Sequence, residues 1–236
     1  MSVAECGQAG NVNTGDFDPA AVICRRARAA GAWVHVDGAF GLWALAHPEF
    51  ALRAEGVPNA DSWATDGHKW LNVPYDNGIV LVREANDLRS AMALNAACLT
   101  TTDAQADREP SHYAPESSRR ARGVDIWAAL LSLGRDGVAD MVAGSCHQAQ
   151  AFARGLASHG FKILNQVVLN QVLVSFGSAE ETRSVVDKIQ RGGILWCSAT
   201  VWQGRTAMRI SVSNWATTAD DVQAGIDEIV RAAFKE

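Results

Sequence analysis

The stretch Trp33-Val34-His35-Val36-Asp37-Gly38-Ala39-Phe40-Gly41 decides the fold. A short apolar run closes on an acid and a glycine, so a strand ends there and the chain turns at once. Upstream, Asp18-Pro19 can open a helix with Asp at the cap and Pro in the first turn; residues 20–30 continue it and Gly31 stops it. Downstream, residues 48–55 read as helix and residues 61–65 as a second strand. Ile79-Val80-Leu81-Val82, bounded by Asn77-Gly78, reads as a buried apolar strand. Strands alternating with helices imply a largely parallel sheet covered by helices.

The second strand runs into Asp66-Gly67-His68-Lys69-Trp70, which puts Lys69 32 residues after Asp37. Both residues then fall just past strand ends, where open α/β sheets place their ligands. An acid at one strand end and a lysine at the next suit pyridoxal phosphate chemistry. The amine can form a Schiff base with the cofactor aldehyde. The carboxylate can keep the pyridine nitrogen protonated, which makes the ring an electron sink.

Beyond residue 95 the pattern changes. Residues 95–117, with Arg108-Glu109-Pro110 and Ala114-Pro115, are loop material. Residues 117–158 read as a long helix interrupted near Gly134 to Gly137. Then follow a strand-like segment at 167–176, a helix at 179–191, two strands at 195–201 and 207–212 that pair, and an amphipathic helix at 218–234. Grouped strands and helices indicate a smaller α+β unit. The expected division is residues 1–116 as part of a larger α/β domain and residues 117–236 as the long helix with a small C-terminal domain.

The composition is that of an ordinary soluble chain: 236 residues, 48% hydrophobic, 20% charged, net charge −5. Acidic and basic residues are interspersed, so neither a nucleic acid nor an anionic membrane is an expected partner. The short cluster of Arg119, Arg120 and Arg122 reads as a helix start with solvated or interface arginines. No apolar stretch reaches the roughly 18 residues of a membrane span. The first ten residues lack the charged and apolar regions of a signal peptide, so a cytoplasmic location is expected. The five cysteines (Cys6, Cys24, Cys98, Cys146, Cys197) form no CxxC pair and read mostly as buried small hydrophobes. His35 and Asp37 point to one sheet face, but no third ligand stands at metal-site spacing, and His35 reads as a core histidine. Trp63, Trp70, Trp127 and Trp215 read as core and interface packing.

With these residues laid out, the chain resembles the group II pyridoxal phosphate-dependent amino acid decarboxylases, which share the type I, aspartate aminotransferase-like fold. The matching segments run in order: residues 10–15 (GNVNTG), 35–41 (HVDGAFG), 64–76 (ATDGHKWLNVPYD), 118–123 (SRRARG) and 208–215 (MRISVSNW). The resemblance implies that Lys69 carries pyridoxal 5'-phosphate and that Asp37 pairs with its pyridine nitrogen. It further implies that Ala39 lies against the ring, that Asp66 and His68 line the phosphate side, and that Thr14 lies close to cofactor and substrate carboxylate. Arg209 would face a substrate carboxylate. The implied reaction is decarboxylation of a small-molecule amino acid in a homodimer.

The chain departs from that family twice. Members are about twice as long, so the expectation is a C-terminal half, with a phosphate loop and dimer arm preceding Met1 and a sheet edge left open. The family's proton-donating loop tyrosine falls on Cys98 in Asn95-Ala96-Ala97-Cys98-Leu99; a thiol can donate a proton. Two other readings stand beside decarboxylation: aldehyde-forming or aminotransferase-like chemistry on the same cofactor, and a truncated, catalytically impaired chain.

Overall fold

The structure, a computed structural model, describes residues 3–92, 110–116 and 118–234. Two four-stranded sheets organise them. The first contains β1 (Ala4–Gln8), β2 (Trp33–Asp37), β3 (Ser62–Asp66) and β4 (Gly78–Val82), in that spatial order. β1, β2 and β3 are parallel; β4 pairs antiparallel to β3. The crossover between β1 and β2 is α1 (Ala20–Ala29). Between β2 and β3 the chain runs through a 3₁₀ segment, Gly41–Ala46, and the short α2 (Pro48–Ala51). Val34 and Val36 of β2 bury one sheet face against α1, together with Ala20, Cys24 and Ala27.

Asp18 does not cap α1. Pro19 occupies the cap position, and the Asp18 carboxylate instead accepts the backbone N–H of Gln8 at 2.8 Å. The side chain pins the end of β1, leaving the helix to start on the proline, whose missing N–H costs nothing there. β4 departs from expectation too, since Val80 and Leu81 are nearly half exposed. Among the described strands β4 has a partner on one side only, and an apolar run alone does not distinguish an edge strand from a central one. The helix α3 (Ala85–Met92), which the sequence did not suggest, follows it.

The long helix α4 (Arg122–Ser158) contains one non-helical residue, Gly134, at φ 62°. Its second part joins the two sheets: Val142, Ala143 and Cys146 pack with Ala44, Phe50, Trp70 and Leu169 in a shared core. Its first part leaves Val124, Trp127 and Leu131 exposed. Trp127 and Trp215 are therefore surface residues rather than core, whereas Trp70 is fully buried. No helix among the described residues is long and apolar enough to cross a membrane.

The second sheet has the order β5 (Lys162–Ile163), β6 (Gln171–Ser175), β8 (Arg205–Ser211), β7 (Ser198–Trp202), all antiparallel. One face is covered by α4, α5 (Ala179–Gly192) and α6 (Ala219–Phe234), around Leu156, Ile189, Met208 and Ile229. Ser178 and Glu181 close a capping box on α5, and Gly193 ends it in the left-handed region.

Gly41 holds the ends of β1 and β2 together. Gly41 donates its N–H to the carbonyl of Ala9, and a Cβ on Gly41 would stand 2.4 Å from that carbonyl group. Gly41→Ala is expected to lower stability by about 1–3 kcal/mol through forced overpacking, measured by urea denaturation. Of the described cysteines, Cys24, Cys146 and Cys197 are buried and Cys6 is exposed. Burial pushes the Cys146 thiol up to about 12 and the Cys197 thiol up to about 11. Iodoacetamide at neutral pH should label Cys6 in the folded protein and reach those two only on unfolding, read by peptide mass spectrometry.

Candidate active site

The candidate site is built on the C-terminal ends of β2 and β3. Asp37 is the last residue of β2, in register with Ala64 of β3. Its Oδ1 accepts the backbone N–H of Ala39 at 3.1 Å, which shapes the turn. The N–H of Gly38 reaches Ala64 O at 2.8 Å, and the carbonyl of Ala39 accepts the N–H of Asp66. The turn after β2 thus lies over the end of β3, and Asp37, Ala39 and Asp66 become neighbours.

Lys69 sits three residues past β3. Its Nζ lies 2.9 Å from Asp66 Oδ2 and 5.2 Å from the centre of the Phe40 ring. The adjacent Trp70 is wholly buried and meets Phe40 edge to face. Burial of that indole anchors the turn and leaves Lys69 on the open side, only partly covered.

His68 is fixed by the loop that follows. Its Nδ1 accepts the backbone N–H of Asn77 at 3.1 Å, and its ring lies 4.1 Å from that of Tyr75. The loop in turn is held at the entry to α4. Asp76 takes Arg122 through both oxygens, at 3.0 and 2.9 Å. Arg120 pairs with Asp125 at 2.8 Å and donates to the carbonyls of Tyr75 and Asp76. Arg120 and Arg122, read as solvated or interface residues, are therefore loop clamps. The Arg122 guanidinium holds the Asp76 carboxyl down at about 2.

Across the cleft stands the second sheet. Arg209, in the middle of β8, reaches Val12 O at 3.5 Å and Ser198 Oγ at 3.4 Å, and among the described residues its buried Nε has no hydrogen-bond partner. Asn72, at φ 55°, ties the two sides: its Nδ2 donates to Trp70 O at 2.7 Å and to Ser213 O at 2.9 Å. The resulting cleft measures about 530 Å³ and brings together Lys69, His68, Arg209, Phe40, Asn72 and Tyr75.

Of the residues singled out from the sequence, Lys69, His68 and Arg209 line this cleft, and Asp66 joins it through Lys69. Asp37, which is exposed, and Ala39 do not line it; they stand at and just past the end of β2. Thr14 is buried elsewhere, in a neighbouring cleft with Asn11, Asp16 and Asn165; its hydroxyl accepts the N–H of Asp16. Cys98 lies outside the described residues. Sequence reasoning assigned nothing to Phe40, Asn72 or Tyr75, although all three fall within the segments it quoted. Among the described residues no cluster of three or more His, Cys, Asp or Glu could hold a metal ion; His35 instead meets Ser62 Oγ at 2.8 Å.

Because the Asp76 carboxyl is lowered by Arg122, its stabilising pair is fully present above the ordinary value of 3.8 and is lost as pH falls through about 2. Arg122→Ala should return the Asp76 titration towards 3.8, followed by carboxyl carbon NMR.

Known proteins resemble this chain in sequence and fold. The model of the pyridoxal-dependent decarboxylase conserved domain matches residues 2–178. The chain is 26% identical to the histidine decarboxylase of Drosophila melanogaster, over 98% of its own length and 27% of that protein. It is 28% identical to the L-2,4-diaminobutyrate decarboxylase of Rhizobium meliloti, over 99% of its length and 49% of that protein. Oryza sativa TDC, solved with PLP and tryptamine, superposes with a TM-score of 0.89 at 21% identity, covering 98% of this chain and 50% of that one. The chain thus spans between about a quarter and a half of the length of these relatives. On a family model that matches three quarters of its residues, this chain belongs to the pyridoxal-dependent decarboxylase family.

Proposed function

We propose that the cleft between the two sheets is the active site of a pyridoxal 5'-phosphate-dependent amino acid carboxy-lyase in which Lys69 carries the cofactor. The observation that carries this reading is a lysine amine and an arginine with a buried, unpartnered Nε in one cleft, with the Asp37 carboxylate at the neighbouring strand end. The residues fit the group. The Lys69 amine suits an aldehyde. Asp37 uses Oδ1 for the Ala39 N–H, and among the described residues its other oxygen has no partner, so it can accept from a protonated ring nitrogen. Ala39 is small enough to lie beside a flat ring, and Asp66 and His68 would serve its phosphate end.

When bound, the cofactor supplies the aldehyde and a ring that takes up the electron pair left at Cα when carbon dioxide departs. The chain's own groups do the rest. Asp37 keeps a proton on the ring nitrogen. Asp66 receives the Lys69 ammonium, at 2.9 Å in this structure. Arg209 holds the substrate carboxylate, and its planar fork gives two parallel hydrogen bonds that fix the orientation of the scissile bond. Thr14 acts through its loop, whose Val12 lines the cleft. Cys98 is the group assigned to protonate Cα, and the full assembly is read as a homodimer.

Borohydride reduction after incubation with pyridoxal 5'-phosphate, followed by peptide mass spectrometry, tests the reading. A pyridoxyl group should appear on Lys69 and vanish in Lys69→Ala; modification spread over surface lysines would sink it. Asp37→Ala should retain the adduct and lose most turnover. Amine and carbon dioxide without ammonia are the expected products.

A further inference from the structure

A second cleft, of about 700 Å³, lies at the end of the small sheet where β8 begins, against the first turn of α5 and the last turn of α6. It shares no lining residue with the cleft that holds Lys69. The connections that reach it contribute Gly160 before β5, Gly177 after β6 and Gly204 in the turn before β8, none of which puts a side chain into the space. One wall is aromatic. Phe161 meets Phe176 edge to face at 4.9 Å and stacks on Phe234 at 5.5 Å between ring centres. Phe161 and Phe176 pack on the core of the small sheet, which fixes the wall. Phe234 is 68% exposed, so the wall ends in an open ring. Two cations, Lys162 of β5 and Arg205 of β8, also line the cleft. Among the described residues neither belongs to an ion pair. The one carboxylate in the lining, Glu181, is committed to the cap of α5, where its Oε2 accepts the Ser178 N–H at 2.6 Å. Two positive charges therefore stand against one engaged negative charge beside an apolar wall, in a chain whose net charge is −5. The size, the apolar wall and the few convergent charges are those of a small-molecule site.

We propose that this cleft is a second small-molecule site that takes an aromatic anion, with its ring against Phe161 and Phe234 and its charge between Lys162 and Arg205. The phenyl groups offer the ring offset and edge contacts, and the two unpaired cations offer the anion charge-assisted hydrogen bonds. An amino acid suits the cleft poorly, because Glu181 is already engaged and no other carboxylate in the lining would meet an α-ammonium group. The inference goes beyond the decarboxylase reading and does not depend on it, since Lys69, Asp37 and Arg209 take no part in this cleft.

NMR titration of the full chain tests this with three probes: 2-naphthoate, which has ring and charge, 2-naphthalenemethanol, which has the ring alone, and acetate, which has the charge alone. The chain should bind 2-naphthoate most tightly, with shifts at the Phe161 and Phe234 rings, and added salt should weaken that probe and not the alcohol. Lys162→Ala and Arg205→Ala should each weaken 2-naphthoate about threefold, the scale of a solvent-exposed ion pair. Lys162→Glu combined with Arg205→Glu should abolish its binding. Both positions are exposed, so these variants should keep the circular dichroism spectrum of the parent. Phe234→Ala should weaken 2-naphthoate and the alcohol alike, about fivefold. Arg191→Ala, which removes a cation outside the cleft, and Arg209→Ala should leave the shifts at Phe161 and Phe234 unchanged. Failure of 2-naphthoate to bind the parent chain, equal affinity for the alcohol, unchanged affinity in the double glutamate variant, or loss of binding in Arg209→Ala would each overturn the proposal. Pyridoxyl trapping at Lys69 reads a different cleft, so its failure would remove the decarboxylase reading and leave this site standing.

Discussion

The side-chain amide of Asn72 is the contact on which the site depends. With its backbone in the left-handed region, it donates to Trp70 O beside Lys69 and to Ser213 O just beyond β8. Asparagine tolerates that conformation better than most residues and carries donors on a short stem. One group therefore sets the turn that presents the lysine and fastens that turn to the sheet that presents the arginine. The cleft is the space these two surfaces enclose.

The buried core explains why the amide can hold its place. Trp70 sits among Phe40, Phe50, Val142, Cys146 and Leu169, residues drawn from the first sheet's connections, from α4 and from the approach to β6. Lys69 stays partly open because its neighbour is buried. The same logic applies to His68, whose ring is partly covered and satisfied by the Asn77 backbone while the loop around it is tethered by arginines. Apolar burial fixes where the turn lies, and charge-assisted hydrogen bonds fix how it is oriented.

Much of this was legible in the chain because it rests on local signals. The strand ending at Asp37, the helix stopped by Gly31 and the break at Gly134 all follow from short-range chemistry. The strand length and the positions of Asp37 and Lys69 at strand ends followed as well. The two-residue β5 was too short to read, and α3 spans only eight residues and buries none of them, so no long apolar period marked it. The site divides in the same way. Asp37 and Lys69 were singled out by their spacing, whereas Arg209 came only from resemblance, since nothing near it in sequence marks it. Asn72 and Tyr75 stood inside quoted segments without a role, because what defines them is a carbonyl 141 residues away and arginines some 45 residues further on.

Those separations bear on the order of assembly. β7 and β8 join through a two-residue turn, with Trp202 opposite Arg205, so their pairing closes a very short loop. β1 and β2 pair Ala4 with Trp33 and need a whole crossover to form first. The hydrogen bonds that enclose the cleft span far more chain: Asn72 to Ser213, and Arg209 to Val12 across 197 residues. Loop-closure entropy grows with the length closed, and long-range contacts follow local ones. By that rule the hairpin of the small sheet is expected early in folding, and the space between Lys69 and Arg209 late.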